Sequence, residues 1–380
     1  MTYPLDGIRI LDFSRVLAGP FCTMMLADFG AEVVKVERPD IGDETRHWGP
    51  PWVGSLSAYY ISINRNKYSV TLDLKSDHDR DVARQLALKA DVIVENFKVG
   101  QMAGYGLDYE TLSPENPRLI YCSLTGYGQD GPYANRPGYD YVIQAQAGLM
   151  SITGPADGEP HKVGVAISDV ITGLNAASAI QAALIQRGKT GQGQYIDISL
   201  LDTNIAALVN IASNTLVSGQ ASPRLGNAHP NVVPYQTFHA ADGKFVLAVG
   251  NDRQFASLCE VIGKKEWMHD ERFATNPARV ENRDALVGML KPILAAQPVA
   301  YWEEKLLAHN IPCGPINDML TALQDPQIAA RGLLHDVTLN TGKTVSTVGS
   351  PIKFSHIPFT IHRPPPELGR DNDEVLSRWL

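Results

Sequence analysis

Short apolar runs and longer amphipathic stretches alternate through the first 200 residues. Residues 8–13, 31–36, 68–74, 91–95, 119–124 and 194–199 are apolar runs of strand length. Such runs read as strands buried on both faces. Between them, residues 21–29, 77–90, 169–187 and 200–218 carry helical patterns, and Gly30 and Gly188 stand at helix-stop positions. Strand–helix alternation of this kind predicts an open parallel sheet with helices on both faces, an α/β, Rossmann-like domain over residues 1–218. The texture then changes. Residues 219–234 are rich in Gly, Pro and Asn and read as a linker. Residues 235–331 read as a smaller α+β domain with two short strands and several helices. Residues 332–380 turn β-like again and end in a tail with a short helix.

Composition narrows the function classes. The chain has 380 residues, 44% of them hydrophobic, which suits two or three domains with a large core. Net charge is −8 and Lys and Arg form no block, so no nucleic-acid partner is expected. Cys22, Cys122, Cys259 and Cys313 are far apart with no CxxC spacing, which argues against a disulfide framework or structural zinc. The histidines show no ligand spacing, so no metal is expected. The start lacks a signal-peptide pattern, and no uncharged run reaches the length of a membrane span. The expectation is a soluble cytoplasmic protein with no membrane partner.

The chemistry-bearing candidate is Asp169, in Gly164-Val165-Ala166-Ile167-Ser168-Asp169. A small-residue loop ends there and a long apolar helix begins. Backbone N–H groups and the helix dipole favour the ionised carboxylate at such a place. It can serve as an N-cap or attack an activated acyl group. The opening strand–loop–helix–strand with Glu37 after the second strand invites a dinucleotide reading. Yet its loop is Ser14-Arg15-Val16-Leu17-Ala18-Gly19-Pro20, without Gly-x-Gly-x-x-Gly. Walker lysine and Gly-x-Ser-x-Gly motifs are also missing. Glu95-Asn96-Phe97 and Gly126-Tyr127-Gly128 each follow a strand, at the carboxyl edge where open parallel sheets bind ligands.

At these residues the chain resembles the family III CoA-transferases of the formyl-CoA and carnitine-CoA transferase type. The likeness runs through Leu11-Asp12-Phe13, Ala18-Gly19-Pro20, Val34-Lys35-Val36-Glu37-Arg38-Pro39, Asn64-Arg65-Asn66-Lys67 and Leu72-Asp73-Leu74-Lys75. It continues through Val94-Glu95-Asn96-Phe97, Gly126-Tyr127-Gly128, the Asp169 loop and Thr190-Gly191-Gln192-Gly193-Gln194. The resemblance implies a covalent mechanism in which Asp169 attacks the acyl-CoA thioester. An aspartyl anhydride and then an aspartyl-CoA thioester form, without a tightly bound cofactor. Coenzyme A and acyl-CoA are substrates. It assigns CoA contacts to Ala18, Arg38, Leu72, Lys75, Asn96, Phe97, Lys98 and Tyr139, with Arg15, Leu17 and Asp140 beside them. It further implies an interlocked, ring-like homodimer in which residues 332–380 return to the large domain.

Three departures bear on the substrate. Leu17 stands where formyl-CoA enzymes carry Gln, Gly250-Asn251-Asp252-Arg253-Gln254 replaces a Gly-rich run, and Gly104 replaces a basic residue. They argue against formyl and oxalyl groups. Residues 226–238 and 250–255 look most like the branch that uses succinate, glutarate and related dicarboxylates. A second carboxylate needs a cation, for which Arg46, Arg224 and Arg253 are the candidates. Two alternatives remain. An α-methylacyl-CoA racemase would carry a Gly-His-Asp base where this chain has Gly138-Tyr139-Asp140. A non-catalytic CoA-ester binding protein would not need an intact Asp169.

Overall fold

The computed structural model describes residues 2–380. Six strands form one sheet: β1 (Arg9–Asp12), β2 (Glu32–Glu37), β3 (Lys67–Thr71), β4 (Val92–Glu95), β5 (Ile120–Thr125) and β6 (Tyr195–Ser199). All neighbours pair in parallel. Their order is β3-β2-β1-β4-β5-β6, so strand order reverses between β1 and β4. Alternate residues explain the two cores. Leu11, Val34, Ile93 and Tyr121 face one layer, with Ala83, Leu86 and Ala87 of helix α1 (Asp77–Lys89). Ile10, Val33, Val92 and Cys122 face the other. There they meet Cys22 and Leu26 of the helix Ala18–Asp28 and Ala176, Ala177 and Ile180 of α2 (Ile167–Thr190).

Three helices differ from their sequence patterns, for α2 runs on through Gly188, read as its stop, and ends at Gly191 with φ 77°. Ala18–Asp28 starts three residues earlier than expected and takes Pro20 into its first turn, where a missing N–H costs no hydrogen bond. The pattern over 200–218 divides into Leu200–Ala207 and Val209–Ser218, which bend by 79°. Val209 has φ 39° at the break. Among the described residues no single helix is long and apolar enough to cross a membrane.

Contacts divide the chain into two units. The first comprises residues 1–149, 162–220 and 327–380; the second comprises 150–161 and 221–326. Residues 150–161 therefore leave the large domain to which their position in sequence assigned them. Most of the stretch read as a linker is likewise a working part of the second unit. Val233 lies in its core, and the buried Arg279 guanidinium donates to the Val233 carbonyl at 2.8 Å. That unit has a third strand, Cys313–Pro315, which with Tyr235–His239 flanks the central Lys244–Ala248, both pairings antiparallel.

Edge strand β3 is covered by residues from the far end of the sequence. Asp371 accepts from Ser69 N–H through Oδ2 at 2.9 Å, and its own N–H donates to the Ser69 carbonyl at 3.0 Å. Asn372 Oδ1 accepts from Thr71 N–H at 2.9 Å. Ladder groups that an edge would leave open are thereby satisfied.

Candidate active site

The reversal between β1 and β4 creates a crevice at the carboxyl ends of these strands, the place where open α/β sheets receive ligands. One residue joins its two sides. Asn96, just after β4, accepts from Arg15 N–H at 2.8 Å and donates to the Arg15 carbonyl at 2.7 Å. The loop after β1 is fixed from below by ion pairs with no exposed side-chain surface. Lys35 Nζ lies 2.9 Å from Asp43 Oδ2, and Lys67 Nζ lies 3.2 Å from Asp12 Oδ2. Lys35 also donates to the Ser14 carbonyl at 2.7 Å. Burial opposes ionisation of Asp43, but Lys35 and the Thr45 hydrogen bonds prevail and hold its carboxyl below the usual range.

Two clefts meet here. The first holds Asp169 together with Ala18, Trp48, Asn96, Lys98 and Tyr139. The second holds Arg38, Leu72 and Lys75. Arg15, Glu44 and Phe97 line both, so the clefts adjoin. Arg38 and Lys75 are exposed, which leaves two cations on the rim of the second cleft. Arg15 pairs with Glu44 at 2.5 Å, and its guanidinium carbon stands 5.3 Å from the Phe97 ring centroid. Nine of the eleven residues expected at CoA thus line one cleft or both. Leu17 does not: it is 7% exposed and caps the following helix. Asp140 lines neither cleft and accepts from Ser168 N–H at 2.8 Å and Gln144 Nε2 at 2.7 Å.

Asp169 occupies the third position of α2 rather than its cap. The Ala18 N–H donates to its carboxylate, which favours charge. Burial and the nearby Asp140 charge outweigh that, and its carboxyl is pushed up to about 7. The helix start favours the ionised form, as expected from the sequence, but burial and Asp140 act against it more strongly. Gly173, one turn further along α2, permits this approach. A Cβ there would lie 2.7 Å from the Ala18 carbonyl oxygen. Gly126 and Gly138 serve similarly, since a Cβ on Gly126 would lie 2.6 Å from the Gly138 Cα. Glu95, under Phe97, accepts from Phe97 N–H at 2.7 Å, and burial pushes its carboxyl up to about 7.

The cations expected for a second carboxylate fare differently. Arg46 is 6% exposed and gives two guanidinium nitrogens to Glu37, at 2.8 and 2.7 Å, over the Tyr60 ring. It is held in a buried ion pair and lines neither cleft. Arg224 spends its guanidinium on the carbonyls of Pro155, Ser151 and Gly158 in the second unit. Arg253 is exposed on the second-unit helix Asp252–Val261. Sequence reasoning missed Arg136, which lines the Asp169 cleft and stands 3.7 Å over the Tyr133 ring centroid. Among the described residues it pairs with no carboxylate. Its signal was a basic residue in the loop after β5, two positions before Gly138. Trp48 and Tyr59 were missed as well. They meet edge to face at 5.2 Å, and burial together with the Asp169 charge pushes the Tyr59 hydroxyl up to about 12.

A half-buried carboxylate at the end of a cation-rimmed cleft, on a sheet of this order, defines an α/β enzyme that handles activated acyl groups. The chain belongs to the CoA-transferase family III, whose profile matches residues 5–372. It is 47% identical to the succinate–glutarate CoA-transferase of Agrobacterium fabrum, over 98% of this chain and 95% of that one. It is 43% identical to the succinyl-CoA:glutarate CoA-transferase of Homo sapiens, over 99% and 86%. The crystal structure of a CAIB/BAIF family protein from Brucella suis superposes with a TM-score of 0.87 at 44% identity, covering 100% of both chains.

Proposed function

We propose that this CoA-transferase moves CoA from an acyl-CoA to a free dicarboxylate through covalent intermediates on Asp169. The observation that carries the reading is the Asp169 carboxylate in a cleft continuous with the one bearing Arg38 and Lys75. The CoA phosphates meet these two cations, and the thioester reaches Asp169. The ionised carboxylate attacks the thioester carbonyl carbon, the C–S bond breaks and CoA thiolate leaves. The thiolate attacks the aspartyl carbonyl of the resulting anhydride, releasing the first acid and leaving an aspartyl-CoA thioester. The incoming acid attacks that thioester, forming a second anhydride, and the thiolate takes its acyl group. One thioester replaces another, so the balance needs no external reductant or metal.

The dicarboxylate assignment is supported by the names of the Agrobacterium and human relatives. With Arg46 and Arg224 engaged elsewhere, Arg136 and Arg253 are the cations to test against the distal carboxylate. Succinate exceeds butyrate in specificity by at least about tenfold, the ratio matching roughly 1.4 kcal/mol. The true partner loses that preference on change to Ala. Equal use of butyrate in the unmodified protein would reject the dicarboxylate and leave the transferase standing. Incubation with acyl-CoA and hydroxylamine, read by mass spectrometry, marks Asp169, and Asp169→Ala abolishes turnover. Full activity in that variant would reject the mechanism.

The working form in this reading is an interlocked homodimer. Leu216 and Val217, on the helix Val209–Ser218, are 84% and 89% exposed, an apolar face that a second copy would cover. A dimer that dissociates readily into folded monomers on dilution would contradict threading.

A further inference from the structure

Val16 is a β-branched residue held at φ 70°, a backbone conformation that such side chains rarely adopt. It sits in the active-site loop, two residues before Ala18, which lines the same cleft as Asp169, packs against the Asp169 helix at Gly173, and through its N–H favours the charged carboxylate. Strained backbone persists only where its surroundings over-determine it. Here the surroundings are identifiable. Both oxygens of Asp43 accept from Val16 N–H, at 3.3 and 3.2 Å. Asp43 is fixed in turn by Lys35 at 2.9 Å and by Thr45 N–H and hydroxyl at 2.9 and 2.8 Å. Asn96 grips the neighbouring Arg15 at both backbone groups. Val16 itself lines the Asp169 cleft.

We propose that Asp43 is a positioning residue for the reaction: through Val16 it holds the loop in the left-handed turn that aims the Ala18 N–H at the Asp169 carboxylate. Lys35 completes the device by keeping Asp43 charged and by holding the Ser14 carbonyl. Asp43 borders the second cleft, but it is buried and its oxygens are spent on Val16, Lys35 and Thr45, so its loss acts on the chemical step more than on CoA affinity. The inference rests on Asp169 being the nucleophile, which hydroxylamine trapping on the unmodified protein tests by itself.

The test removes the pair as a pair. In Lys35→Met/Asp43→Leu neither charge is left buried alone. We expect kcat to fall on the order of a hundredfold, the scale of a small misplacement of reacting groups, with KM for acyl-CoA changed less than about threefold. Adding Val16→Gly should recover at least about tenfold of the lost kcat, because glycine adopts positive φ at no steric cost. A purely structural ion pair would show no such rescue. A kcat within about threefold of the parent, or no recovery on adding Gly, overturns the proposal. If the paired replacement does not fold, Val16→Pro decides. Proline fixes φ near −65° and removes the N–H that Asp43 holds. The folded variant should lose kcat on the order of a hundredfold at nearly unchanged KM. Retention of kcat in it overturns the proposal equally.

Discussion

Asp140 Oδ1 accepts the Ser168 N–H at 2.8 Å, so a residue 28 positions upstream caps the helix that presents Asp169. The same carboxylate adds a negative charge near Asp169 and helps raise its carboxyl to about 7. One side chain thus orients the nucleophile's helix and tunes the nucleophile's proton affinity. Asp140→Asn keeps an acceptor for Ser168 and removes the charge. The acid limb of the kcat/KM profile for acyl-CoA, expected near pH 7 in the parent, should move to lower pH. An unchanged limb would show that the two carboxylates do not interact.

Stability should record the same proton. Burial and the Asp140 charge push the folded Asp169 carboxyl up to about 7, from an ordinary value of 3.8. A group whose folded pKa is raised stabilises fully below its unfolded pKa, and that contribution is lost as pH rises through the folded one. Stability attributable to Asp169 therefore falls between about pH 4 and pH 7, by up to on the order of 4 kcal/mol. Asp169→Asn should raise Tm at pH 8 relative to the parent and leave it nearly unchanged at pH 4. Equal Tm differences at both pH values would count against a half-buried, ionising carboxylate.

Arg38 lines the second cleft, away from the Asp169 end. Arg38→Ala should raise KM for acyl-CoA more than KM for the acid, with a loss of about 1–3 kcal/mol if it meets a phosphate. Steady-state kinetics with each substrate varied in turn reads the difference. Equal effects on both would remove the phosphate contact.

Arg46 tests the opposite expectation. Arg46→Ala leaves Glu37 buried without its partner, which costs about 3–5 kcal/mol. A large drop in the denaturant midpoint should follow. Whatever folded fraction remains should retain the parent's preference for succinate over butyrate. A lost preference with intact stability would restore Arg46 as a substrate contact.

The six strands of the large sheet were legible because burial on both faces leaves long apolar runs. Their order was not, since register and neighbours depend on contacts between distant segments. The break at Val209 was invisible because residues 200–218 contain neither Gly nor Pro. Cys313–Pro315 was missed because three residues carry no period. At the site, Asp169 and nine of the residues lining the clefts were named through motifs, whereas their electrostatics were not. The helix-dipole argument is local, but burial and Asp140 act on Asp169 from other parts of the chain. Arg46 misled for the same reason: a cation in a sequence does not reveal that Glu37 already holds it.

The cover on strand β3 imposes an order in time. Ser69 and Asp371, which exchange hydrogen bonds, are 302 positions apart. At synthesis rates of about 5–20 residues per second, roughly 15–60 s separate their emergence from the ribosome. For that interval the nascent sheet carries a bare edge able to pair with another chain. The second unit's residues 221–326 are complete before the cover exists. Newborn chains of this enzyme should accordingly depend on chaperones or slow crowding at the ribosome more than their finished form would suggest, and truncation before Asp371 should make that dependence permanent.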